Sequence, residues 1–312
     1  MAAGSLLALL DDITVLLDDI ALMTKTAASK TAGVLGDDLA VNAEQASGVK
    51  ANRELPVVWA VAKGSLINKA IIVPIALLLS AFLPWLILPI LMLGGLFLCF
   101  EGAEKIFAQH HANNQQKNLS SLSADDLVKF EKTKIKGAIR TDFVLSIEII
   151  VITLGTVANA GLLQQFMVLT LIAIAATIGV YGLVALIVKL DDAGLWLFQH
   201  GQNQHNITLE KTGLLLVNSA PYLMKLLTIV GTIAMFLVGG GILTHSIHII
   251  GEYMLELSHL VAHLSTNIAW ITKGIQVFMP ILLNGLLGLI VGTLLFLIIA
   301  KLIKVRQLFF NN

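Results

Sequence analysis

Apolar residues in this chain come in long blocks, not in the alternating runs of half-buried strands. The blocks at 70–100, 143–160, 166–188, 226–244 and 276–300 are each long enough to enter or cross a hydrocarbon core of about 30 Å as helices. As one helix the first block would be about 46 Å long, and Pro74, Pro84 and Pro89 interrupt it. It therefore predicts a Pro-broken hairpin turning at Pro84-Trp85, either crossing fully or re-entering. The sum is about six membrane segments in an all-α polytopic fold.

The N-terminal pattern differs. LLALLDD followed by ITVLLDD predicts an amphipathic helix whose Asp11, Asp12, Asp18 and Asp19 fall within about 100° of arc. An anionic lipid surface would repel that edge, so the helix is expected to dock on the protein's own surface. Residues 24–55 are small, polar and mixed in charge, and they predict a linker with little core of its own. Residues 1–55 thus form an expected cytoplasmic acidic region, and 56–312 the transmembrane domain. Within that domain, 106–135 is read as a cytoplasmic connection, with Ser123, Asp125 and Asp126 opening an amphipathic helix. Residues 190–222 are read as an inside loop, and 245–264 as an amphipathic helix on the outside.

Composition agrees with a membrane protein. The chain is 57% hydrophobic and 13% charged, with a mean hydropathy of +0.87, and that apolar surplus has to face lipid. The lipid bilayer is the expected partner; a homo-oligomer is compatible with the pattern, and no protein partner is identified. Zero net charge leaves no nucleic-acid footprint. The single cysteine, Cys99, excludes an intramolecular disulfide. Lysines and arginines flank the blocks on one side only, apart from Lys273, and this places both termini in the cytoplasm.

Two constellations carry candidate chemistry. Glu148 lies inside the block entered through Arg140 and Asp142, and helical spacing puts Thr141, Glu148, Gly155 and Asn159 on one face. A carboxylate at that depth marks an ion or proton path, or else a buried ion pair. Asn284, beside the glycines of the last block, is a further polar group within a span. The second constellation is His245, His248, Glu252, Glu256, His259 and His263, spaced three or four apart so that all six share about 80° of a helix. Such a stripe is a solvated face, a pH-sensing face or a site for a divalent metal. The acidic groups Asp11, Asp12, Asp18, Asp19, Asp37 and Asp38, with the 191–192 pair, would form a cation-attracting cytoplasmic mouth. No phosphate-binding loop, nucleophile elbow or HExxH motif occurs, and this argues against a familiar ATPase or hydrolase.

LLALLDDITVLLDDIALMTK, KTAGVLGDDLAVNAEQ, KGAIRTDFVLSIEIIVITLG and AMFLVGGGI resemble the YedI-type bacterial inner-membrane proteins, a family grouped by sequence without an assigned function. The resemblance runs over nearly the whole chain. It implies a bacterial inner membrane location and a polytopic fold, and it brings no catalytic residues. The residues themselves lead to an expected transporter or channel for an inorganic ion or small solute. Its alternatives are a non-catalytic scaffold that docks a partner through the acidic helix, and a metal-dependent membrane enzyme.

Overall fold

In the computed structural model, residues 2–46, 53–116, 124–247, 249–253, 256 and 269–310 are described. They form α1 (Ala2–Ala46), α2 (Glu54–Phe82), a 3-10 turn (Pro84–Leu86), α3 (Ile87–Gln116) and α4 (Ala124–Thr156). These are followed by α5 (Leu162–Val188), α6 (Leu190–Asn203), α7 (Ile207–Ser246) and α8 (Ala269–Phe310). Five helices are long and apolar enough to cross a membrane: Glu54–Phe82, Pro84–Phe107, Leu162–Val188, Ile207–Ser246 and Phe278–Leu302. The protein is an all-α polytopic membrane protein.

The expected hairpin is present. α2 ends at Phe82, Leu83 leaves helical geometry (φ −141°, ψ 54°), and Pro84 opens the turn that leads into α3. Pro74 is accommodated inside α2. The block 143–160 is the second half of α4, which begins at Ala124 and runs unbroken into the apolar segment. Ser123 lies outside the described residues, and with it the proposed cap. At the α4–α5 turn, Gln164 Oε1 accepts from the Gly161 N–H, and the Gln165 amide donates to the Ala158 and Ala160 carbonyls. These two glutamines, unremarkable in the sequence, hold the turn closed.

Two expectations need correction. Residues 190–222 are not a loop: α6 folds back on the first half of α7, where Gly194, Gly201 and Gly213 let the two backbones touch. Asn206 caps α7 by accepting from the Thr208 and Leu209 amides. More consequentially, residues 24–46 are not a linker. α1 continues through them, and Ala27, Thr31, Asp38, Val41, Asn42 and Ala43 are buried against α4, α5 and α7. The side chains that looked too small and polar to build a core are the ones that let a helix lie deep between three others.

α1 runs the length of the bundle. Ile20 and Ala27 pack with Val157, Val168 and Ile172 at the α4–α5 turn. Ala43 packs with Val57, Val61, Val184 and Val188, where α2 begins and α5 ends. Ile20 and Ala43 are about 35 Å apart along the helix, so α1 spans the same depth as its neighbours. Asp11, Asp12, Asp18 and Asp19 are exposed beyond the turn end, with Ile13, Val15 and Leu17 exposed among them. The N-terminal acidic edge therefore does not dock on the bundle. Around α1, α2 packs on α4 and α5, while α3 packs on α7 and α8.

Candidate functional site

The bundle encloses a polar network centred on Asp142, built from four helices. Six of its members come as three pairs one helical turn apart: Asp38 and Asn42 on α1, Ser65 and Lys69 on α2, Asp142 and Ser146 on α4. At that spacing both side chains of a pair point the same way. Asp142 Oδ1 accepts from Ser65 Oγ at 2.9 Å and from the Tyr181 hydroxyl at 2.8 Å. Its Oδ2 accepts from Asn68 Nδ2 at 3.2 Å and Ser146 Oγ at 3.3 Å. Lys69 Nζ stands 3.6 Å from Oδ1 and donates to both serine hydroxyls at 2.8 Å. Each serine thus accepts a hydrogen bond from the ammonium and donates one to the carboxylate.

On α1, Asn42 Nδ2 donates to Asp38 Oδ1 at 2.7 Å, and its Oδ1 lies 2.9 Å from the Tyr181 hydroxyl. That hydroxyl has one proton and faces two acceptors, Asn42 Oδ1 and Asp142 Oδ1, so it serves one at a time. Lys69, Asp142, Ser65 and Asn42 are all at most 2% exposed. One ammonium here faces two carboxylates, Asp38 and Asp142.

Above this layer sits Glu148. Its Oε2 is buried and makes no hydrogen bond. The charged groups acting on it are Asp37 and Asp38, both of the same sign. Below the network, Thr141 Oγ1 donates to Glu101 Oε2 at 2.8 Å, and Gln45 Nε2 to Glu101 Oε1 at 3.1 Å. Lys105 pairs with Glu44. Beside this layer, burial pushes the Lys134 ammonium down to about 8, with Glu44 opposing the shift.

The sequence-derived candidates separate accordingly. Thr141 and Glu148 line the buried interface of α4, but Gly155 and Asn159, on the same nominal face, are exposed near the α4–α5 turn. Asp142 is not at a mouth; it is the hub of the network. Arg140 is exposed, with its guanidinium 4.9 Å from the Phe97 ring centroid. Asn284 lies on α8, its carbonyl against Gly240 and its Nδ2 near Gly241. The proposed acidic mouth does not form, because Asp37 and Asp38 belong to the interior and Asp11, Asp12, Asp18 and Asp19 stand exposed at the far end of α1. Of the His/Glu stripe, His245, Glu252 and Glu256 are exposed, whereas His248, His259 and His263 lie outside the described residues. Among the described residues no group of three His, Cys, Asp or Glu is placed to hold a metal ion.

The sequence reading missed Lys69, Asn42, Ser65, Ser146, Tyr181 and Glu101. The signal was available in the one-turn polar pairs inside apolar helices. Lys69 was counted as a flanking charge because the apolar block begins at residue 70.

Comparison with curated proteins and with solved structures returns no match. A family model does match, over residues 4–298. The match takes in α1 and every network residue. The chain therefore belongs to the family described as "Protein of unknown function (DUF808)".

Proposed function

We propose that the protein moves a proton or a small inorganic cation across the bacterial inner membrane, along the interface of α1 and α4. The supporting observation is the contrast between Asp142, fully buried, and Glu148, half-buried with one oxygen sealed from solvent. Asp142 has hydrogen-bond donors on both oxygens and a lysine beside it. Glu148 has a buried oxygen with no donor, and its charged neighbours are further carboxylates. Burying a carboxylate without a partner costs several kcal/mol, so this one takes up a proton or a cation. Among the described residues Gln45 Oε1 and Glu148 Oε2 are the buried side-chain atoms without a partner; of the two, Glu148 alone can carry charge, and it leaves a position open to a proton or a cation.

In this reading Asp37 and Glu148 form the binding step, and Asp38, Asn42, Tyr181 and Asp142 relay or gate on the side of the basic flanks. Those flanks lie in the cytoplasm. α1 then carries Asp11 and Asp12 to the opposite face, so that in this reading the C-terminal end alone lies in the cytoplasm, not both termini as the charge pattern predicts.

The test is ion flux in proteoliposomes of purified protein. Glu148→Gln and Asp37→Asn are each expected to lower flux at least about tenfold, the effect of about 1.4 kcal/mol on a barrier. Their thermal unfolding should stay close to wild type. Wild-type flux in both variants would overturn the reading.

A further inference from the structure

The outer face of α2 and α5 carries a groove of about 700 Å³ that shares only the ring of Tyr181 with the proposed ion path. Its walls include Trp59, Lys63 and Leu66 of α2 and Ile178, Tyr181 and Gly182 of α5. Nearly all of the lining is apolar, and Trp59 (74% exposed) and Ile178 (69%) stand open on its rim. Both helices are apolar enough to span, so this face meets lipid. From Leu55 to Leu66 the groove runs about 16 Å along α2.

One charge breaks the apolar lining. Lys63 is exposed and has no acidic side chain within ion-pair distance among the described residues. Counted from Phe82, it lies about 28 Å down α2, close to the far boundary of a ~30 Å core. There a lysine extends its ammonium toward the headgroups, and a tryptophan one turn further, as Trp59 is, fits the interface. The groove between α7 and α8, lined by Ile229, Ile233 and Leu286, has no such cation. The hollow is open at residue 182, where a Cβ would meet nothing within 4 Å.

We infer that this groove is a binding site for an anionic phospholipid of the cytoplasmic leaflet, its phosphate on Lys63 and one acyl chain against Ile178, Tyr181 and Gly182. The chain would press on the ring of Tyr181, whose hydroxyl faces Asn42 and Asp142. Lipid occupancy would in this way brace the buried network from outside.

The probe is the intrinsic fluorescence of a variant keeping Trp59 alone, with Trp85, Trp196 and Trp270 changed to Phe, in vesicles containing phosphatidylglycerol or phosphatidylcholine with brominated acyl chains. Quenching should report about fivefold tighter association of the anionic lipid, the worth of one lysine at the membrane surface. Lys63→Gln should bring the ratio to about one. Gly182→Leu fills the groove without meeting backbone and should reduce quenching by both lipids. Circular dichroism checks that each variant remains helical. Equal quenching by the two lipids would overturn the headgroup assignment. Undiminished quenching in Gly182→Leu would overturn the groove. Protection of Trp59 from both lipids would mean that protein, including a second copy of this chain, covers the site, and would overturn the proposal outright. None of these outcomes depends on ion flux.

Discussion

Lys69 and Asp142 show how a membrane interior tolerates full charges. At 3.6 Å they are too far apart for a direct hydrogen bond, yet two serines bridge them. Removing Lys69 leaves two carboxylates, Asp38 and Asp142, buried without their cation, which costs about 3–5 kcal/mol; removing the Asp142 charge as well relieves one of them. Lys69→Met should therefore lower the unfolding temperature sharply in mild detergent, and Lys69→Met with Asp142→Asn should recover part of that loss, Asp38 still lacking its cation. An additive double variant would mean that the two charges do not act as a pair. Tyr181→Phe tests the other side of the hub. It leaves Asn42 Oδ1 without its donor and Asp142 Oδ1 with Ser65 alone, a loss of about 1–3 kcal/mol. Glu148→Gln differs from both, since it removes no existing hydrogen bond and should alter flux while sparing stability.

Helices in hydrocarbon gain little from hiding apolar surface, so their association depends on close packing. Glycine provides that closeness where α3, α7 and α8 meet. A Cβ on Gly240 would run into the Asn284 carbonyl, one on Gly288 into Phe236, and one on Gly292 into Cys99. Gly288→Ile should thus separate α7 from α8 and lower the yield of folded protein in the membrane. Gly179, inside α5, meets nothing within 4 Å. Gly179→Ala should be neutral or stabilising by up to about 1 kcal/mol, since alanine is the better helix former. The reverse ranking of the two variants in a thermal stability assay would contradict the packing. Some of this level was legible beforehand: Gly288 and Gly292 stood four apart in an apolar block, and Pro84 marked the break between α2 and α3. The path of α1 was not legible. Its buried side sets Thr31, Asp38, Asn42 and Gln45 among Ile20, Ala27, Ala40, Val41 and Ala43, and the polar members read as surface until Tyr181 and the Asp142 cluster are known to receive them. Apolar periodicity finds helices that bury themselves in grease, and it is blind to one that enters a core through hydrogen bonds.

For the whole molecule, the passage of α1 through the bundle decides which side each end occupies. α1 meets the start of α2 at one end of the bundle and passes the α4–α5 turn at the other. α8 runs antiparallel to α7, with its Lys301 end on the side where α2 begins. Asp12 and Lys301, both exposed, should therefore lie on opposite faces of the membrane. The protein suits a thiol-labelling test, because Cys99 is its only cysteine and is buried against Gly239. In Asp12→Cys, a membrane-impermeant maleimide should label right-side-out vesicles. In Lys301→Cys it should label inside-out vesicles only, the proposed topology having the basic flanks in the cytoplasm. Wild-type protein should stay unlabelled in both preparations until it is denatured. Labelling of both variants from one side would contradict the course of α1. The path proposed along α1 and α4 would fall with it, because Asp37 and Asp38 reach Glu148 only if α1 lies inside the bundle.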